Sequence, residues 1–141
     1  MAKTMQIDIV SAEDELFSGE ATMFFATGVM GELGIAPGHT QLLTQLHPGN
    51  VRVQFEDGSE QIFYVSGGIL EVQPNIVTVL SDTAVRAADL DESAAMEAKR
   101  RAEQAMAERT GEQEYATARA ELAEAMAQLQ TIQKLRKIAQ R

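Results

Sequence analysis

Glycine, proline and aromatic residues crowd into one part of this chain, and that asymmetry constrains its fold more than any other feature. Nine of ten glycines, all three prolines and six of seven aromatics precede residue 75. Beyond it Ala, Glu, Gln, Lys and Arg dominate, all strong helix formers. Two folding grammars in succession put a boundary near Arg86 to Asp89. Residues 1–86 are expected to form a β unit and residues 87–141 a helical one.

The β grammar is visible strand by strand. Met5, Ile7 and Ile9 alternate with Gln6 and Asp8, the period of a half-buried strand. Residues 21–27 are β-rich and follow Ser18-Gly19, which suggests a turn. Val51, Val53 and Phe55 alternate up to Asp57-Gly58, a tight hairpin signal, and residues 61–65 return. Gly67-Gly68 interrupts, residues 69–72 resume, and Gln73-Pro74-Asn75 turns into residues 76–80. Short strands with turns at this spacing predict an antiparallel β-sandwich or flattened barrel.

The helical grammar predicts an antiparallel two-helix hairpin, roughly residues 90–108 and 112–138. Asp89 and Glu92 have capping-box spacing, and so do Thr110 and Gln113, with Gly111 easing the turn between the helices. Tyr115, Ala118, Leu122, Ala125, Leu129 and Ile132 recur at steps of three and four, opposite Ala95, Ala98, Ala102 and Ala105. An alanine seam lets helices approach closely but buries little area at ~25 cal/mol per Å². Two uses fit it: a simple dimerising or capping hairpin, or an arm that leaves its resting place at low cost.

Composition narrows the function classes. The net charge of −9 argues against a nucleic-acid partner, which needs clustered Lys and Arg. Without cysteine there is no disulfide, thiol nucleophile or thiolate metal site. No run of 18 apolar residues is present, so no membrane insertion is expected, and an N-terminus without a secretory apolar segment predicts residence in the cytosol. Residues 1–86 carry Lys3, Arg52 and Arg86 against eleven carboxylates, whereas the last carboxylate side chain, Glu124, is followed by Lys134, Arg136, Lys137 and Arg141. An acidic head thus precedes a segment with a basic tip.

Catalytic signatures are missing. His39 and His47 have no metal-ligand spacing and no phosphate loop occurs, so no metal or other cofactor is expected. The carboxylate pairs lie in turn-like, solvated contexts that give no reason for the raised pKa of a general acid. A chain acting alone as an enzyme is not supported. The segment Gly31–Gly49, with both histidines and two prolines, is better explained as a stiff loop serving as a contact surface. Gly34 and Gly38 allow close backbone approach, Pro37 and Pro48 stiffen it, and Glu32 and His39 offer polar tips.

Three stretches then carry a family resemblance: GELGIAPGHTQLLT at 31–44, YVSGGILEVQPN at 64–75 and VTVLSDTAV at 77–85. In this order, and followed by an Ala-rich hairpin, they closely resemble the ε subunits of bacterial F-type ATP synthases over essentially the whole chain. The resemblance implies a ten-stranded β-sandwich with a helical hairpin, acting as a non-catalytic rotor subunit. Such a subunit joins the c-ring loops to the γ subunit at the cytoplasmic face of the cell membrane. It implies c-ring contact through Glu32 and His39, and γ contact through Ser11, Ser66 and Tyr115. It also implies that the arm, when extended, reaches the catalytic β subunits, with α as a further candidate contact, and blocks ATP hydrolysis.

Physical length and charge agree with that picture. Two such helices end to end reach about 70 Å. Lys134, Arg136, Lys137 and Arg141 form either an electrostatic latch for an acidic loop of β or a solvated helix end complementing the macrodipole. Some family members bind ATP at the start of the arm through Ile/Leu-Asp-x-x-Arg-Ala. Here the residues are Leu90, Asp91, Ala94 and Ala95, with alanine in place of the arginine and Arg101 as the nearby cation. Losing that always-charged phosphate partner predicts weak binding at most. The alternative function, a nucleotide-sensing module folding around ATP, is disfavoured on the same ground.

Overall fold

A computed structural model describes residues 3–108 and 111–140. These form ten strands: β1 (Met5–Ser11), β2 (Glu15–Ala21), β3 (Met23–Gly28), β4 (Gly31–Ile35), β5 (Leu42–Leu46), β6 (Gly49–Gln54), β7 (Glu60–Val65), β8 (Gly68–Val72), β9 (Ile76–Ser81) and β10 (Ala84–Arg86). A single 3₁₀ turn, Ala87–Asp89, leads to α1 (Glu92–Glu108) and α2 (Glu112–Ala139).

The strands follow the order β10-β7-β6-β3-β5-β8-β9-β1-β2, with β4 paired only to β3. All pairings are antiparallel except β1 with β9. The order curls round until its ends meet, where Arg86 of β10 donates to the Leu16 carbonyl of β2 at 2.8 Å. Inside lie Ile7, Ile9, Phe24, Val51, Val53, Phe63, Leu70, Val77 and Val79, all fully buried and supplied by alternate strand positions. Gly68 makes the bend before β8 possible. Its φ is +132°, and a Cβ there would lie 2.1 Å from the Leu80 carbonyl oxygen.

β7 departs from alternation. Ile62, Phe63, Tyr64 and Val65 are all buried. Phe63 and Val65 face the core, while Ile62 and Tyr64 point outward and are covered by α2, which packs on β6, β7 and the 3₁₀ turn. The continuous apolar run is the sequence trace of a strand buried on both faces. Between the helices, Ala95 and Ala102 of α1 and Ala118 and Ala125 of α2 are buried, so the seam is an alanine seam. Ala105 is exposed and the half-buried Met106 occupies its turn, because four residues beyond Ala102 falls closer to the seam than three.

Three local expectations are corrected. Ser18-Gly19 is no turn but the middle of β2, paired with Asp8 and Ile7, and the Ser18 hydroxyl bonds Asp8 Oδ1 at 2.8 Å. Segment 31–49 is not one loop: β4 and β5 occupy most of it and leave a short turn at 36–41. Strand partners supply the hydrogen bonds that the breaker-rich sequence does not advertise. The cap of α1 is Asp91, whose Oδ1 accepts the Ala94 N–H at 3.1 Å, because Asp89 is taken up in the 3₁₀ turn. The proposed cap Thr110 lies outside the described residues.

Candidate functional site

Glu32 lies within β4, which has one strand neighbour and is therefore an edge, and His39 lies just beyond it. Glu32 opposes Thr27 of β3 near the strand's start, and its side chain is 59 % exposed. His39 sits in the turn after the strand, with Nδ1 2.7 Å from the Thr40 carbonyl. That turn is tied down by Gly38, whose N–H donates to Pro74 O at 2.8 Å with φ at +83°. No hydrogen bond or ion pair joins Glu32 to His39 among the described residues. They mark two ends of one edge strip rather than a single point.

Ser11 and Ser66 are brought together through a residue the sequence did not single out. Ser11 is in register with Ser81 of the parallel neighbour β9, and the Ser81 hydroxyl lies 3.3 Å from that of Ser66. Ser66 Oγ also accepts the Thr83 N–H at 3.1 Å, and Ser11 Oγ accepts the Asp14 N–H at 3.1 Å. Beside them the outer face of β5, β8 and β9 is open. Leu43, Ile69 and Leu80 are 70 %, 45 % and 52 % exposed, and Ile69 opposes Leu80 across the strand pair. Ala12, Gly68, Ile69, Leu80, Ser81 and Asp82 line a shallow cleft there. Tyr115 is half-buried in the first turn of α2 and makes no hydrogen bond to either serine.

The basic tip is partly engaged. Arg136 forms a bidentate pair with Glu92 at the start of α1, which raises the guanidinium pKa further by hydrogen bonding and charge. Lys134 is half-buried and Lys137 exposed. Arg141 lies outside the described residues. On the arm's seat, Tyr64 is 1 % exposed. Burial pushes its phenol pKa up to about 12, and the Glu124 carboxylate adds to this while a Gln128 hydrogen bond opposes it.

At the ATP-motif positions, Asp91 is spent on the helix cap, Ala95 is buried in the seam and Ala94 is exposed. Arg101 lies ten residues beyond Asp91, about 15 Å along the helix at 1.5 Å per residue. It lines an open cleft together with Ala98, Glu121, Glu124, Ala125 and Gln128. Two carboxylates against one guanidinium repel a polyphosphate. Among the described residues no cluster of three His, Asp or Glu side chains suited to a metal occurs, and no helix is long and apolar enough to cross a membrane.

This architecture matches two family models in tandem: the β-sandwich domain of the ATP synthase delta/epsilon chain over residues 4–87, and its long α-helix domain over residues 88–133. The chain belongs to the ATP synthase delta/epsilon family. Among its relatives, the ATP synthase epsilon chain of Nitrosococcus oceani is 62 % identical over 137 residues, covering 97 % of this chain and 98 % of that one. The epsilon chain of Alkalilimnicola ehrlichii is 61 % identical over 138 residues, covering 98 % and 99 %. The fold also recurs in a chain of the Euglena gracilis mitochondrial ATP synthase, in a structure of its OSCP, F1 and c-ring. There the TM-score is 0.81 at 19 % identity, with 88 % of this chain and 78 % of that one covered. A chain of the Tetrahymena thermophila central stalk and c-ring gives 0.59 at 13 %, covering 92 % and 97 %.

With epsilon-chain membership shown, the open Leu43, Ile69 and Leu80 face is the main feature that sequence reasoning missed. The alternation of Ile69 and Glu71 with buried Leu70 and Val72 was the available signal, since it puts an isoleucine outward.

Proposed function

We propose that this chain is the non-catalytic central-stalk subunit that couples c-ring rotation, through γ, to ATP synthesis. In this reading residues 1–86 are the rotor-docking unit and residues 87–141 the regulatory arm. Glu32 and His39 meet the polar loops of the c-ring. Ser11, Ser66 and the open face beside them meet γ, with Tyr115 joining that contact when the arm moves. The complex holds the chain peripherally at the cytoplasmic face of the membrane.

The observation that carries this reading is the contrast between the two outer faces of one sandwich. One is covered by α2 over Ile62 and Tyr64, and the other carries exposed Leu43, Ile69 and Leu80. The folded arm is the resting position. Its 17 and 28 helical residues laid end to end would extend about 68 Å, long enough to reach β and α in the catalytic head and block hydrolysis. Leaving the resting position breaks the Arg136–Glu92 pair and frees Arg136 for an acidic partner. The cleft at Arg101, with its two carboxylates, supports a brake over a nucleotide sensor.

ATP hydrolysis by the assembled complex tests this, with the chain at full length and truncated after Ala88. Hydrolysis is expected to rise several-fold while proton pumping persists. Unchanged hydrolysis removes the inhibitory role. Because truncation uncovers Ile62 and Tyr64, assembly is measured alongside. Sub-millimolar ATP binding by the isolated chain in calorimetry would restore the sensor.

A further inference from the structure

The outer face of β6 presents one guanidinium to two carboxylates. Arg52 Nη2 lies 3.6 Å from Glu32 Oε1 on the edge strand β4, and Arg52 Nη1 lies 3.5 Å from Glu60 Oε2 on β7. The Arg52 and Glu60 side chains are 15 % and 7 % exposed, against 59 % for Glu32. Arg52 Cζ sits 4.4 Å from the centre of the Phe25 ring, its cross-strand neighbour on β3. On its other side the cross-strand neighbour is Ile62, which α2 covers.

Stacking and burial therefore fix the guanidinium plane. Hydrogen bonding does not saturate it, since buried Arg52 Nε and Glu60 Oε2 have no hydrogen-bond partner. A half-buried cation with an unspent donor, flanked by one sunken and one displayed carboxylate, neutralises the first and steers the second. Arg52 is the one ion-pair partner of Glu32 among the described residues, in a β unit with only Lys3 and Arg86 as further cations.

We propose that Arg52 is the positioning residue for Glu32 in docking to the c-ring. This rests on the reading that Glu32 meets the ring. Arg52 holds Oε1, which limits the rotamers of Glu32 on an otherwise free edge and turns Oε2 toward the partner's hydrogen-bond donors. Ordering Glu32 in advance removes part of the side-chain entropy that docking would otherwise cost.

The test is rebinding of the full-length chain to ATP synthase stripped of this subunit, with thermal unfolding of each variant followed in parallel. Arg52→Met is combined with Glu60→Gln, so that no buried carboxylate is left uncompensated. This double variant is expected to weaken rebinding roughly tenfold beside native Glu32, and less than about twofold further when Glu32→Gln is already present. Arg52→Lys keeps the charge but loses the fork and most of the stack, and is expected to fall between native and double variant. Equal losses in both Glu32 backgrounds, following the change in unfolding temperature, would overturn the proposal and make Arg52 a structural residue of the sheet. If Glu32→Gln alone leaves rebinding unchanged, the Glu32 docking reading fails instead.

Discussion

The two outer faces of the sandwich start from similar material and end in opposite states. On the β6–β7 face, Ile62 and Tyr64 point away from the core and are buried beneath α2. On the β5–β8–β9 face, Leu43, Ile69 and Leu80 point away from the core and remain exposed. An outward aliphatic or aromatic residue is thus not by itself a docking site, because whether it is free depends on what the rest of the chain does. The covered face also has a chemistry of its own. It encloses a phenol beside Gln128 and Glu124, and the buried Thr131 hydroxyl returns to the Ala127 carbonyl at 2.7 Å, which keeps α2's underside free of an unpaired donor.

Cutting one residue from each face gives the largest expected difference. Tyr64→Ala is expected to cost about 3–5 kcal/mol of stability and to loosen α2. Leu80→Ser is expected to stay within about 0.5 kcal/mol, while weakening the chain's attachment to the rest of the complex. Thermal unfolding, hydrogen exchange of the α2 amides and rebinding report these. Equal stability losses at both positions would erase the distinction between a covered and an open face.

A smaller effect is expected from pH. The folded-state pKa of Tyr64 is raised to about 12 from the ordinary value of 10.0. The buried neutral phenol therefore contributes stability that is fully present below pH 10 and is lost as pH rises through 12. The loss reaches about 2–3 kcal/mol. In denaturant titrations from pH 9 to 12, Tyr64→Phe should remove this part of the decline. Superimposable curves for the two proteins would show that the phenol does not sit at the covered face as described.

The smallest effect belongs to the exposed pair that closes the hairpin. Arg136→Gln is expected to leave the unfolding temperature almost unchanged, because exposed ion pairs contribute little and are screened by salt. Its consequence should appear in the arm's partition between folded and extended states, read as a modest, salt-dependent change in hydrolysis by the assembled complex. A large loss of folding stability would mean that the pair, and not the alanine seam, holds α1 against α2.

Much of this architecture was legible in the residues. Alternation in Met5–Ile9 and Val51–Phe55, the Asp57-Gly58 turn and the Ala-rich second half each act over a few residues, and local steric preference governs them. The breaker-rich stretch 31–49 was less legible. β4 and β5 are strands because β3 and β8 accept their backbone hydrogen bonds, which no window of local sequence contains. Ser18-Gly19 likewise looks like a turn until its register against Ile7 and Asp8 is known.

The candidate surfaces divide in the same way. Glu32, His39 and Ser66 lie within the motifs that carry the resemblance and Ser11 came from the resemblance alone, whereas Ser81 and the Leu43–Ile69–Leu80 face depend on which strands become neighbours. Arg52 was one cation among three in an acidic unit until folding set it between Glu32 and Glu60. Residue order alone dictated a β unit followed by an alanine-seamed hairpin, since backbone propensity and side-chain period are local properties. Which sheet face the hairpin covers, which face stays open and which carboxylates share a guanidinium emerge only from the folded packing. Those outcomes depend on pairings between residues far apart in the chain, where burial and charge are fixed only once the strands have met.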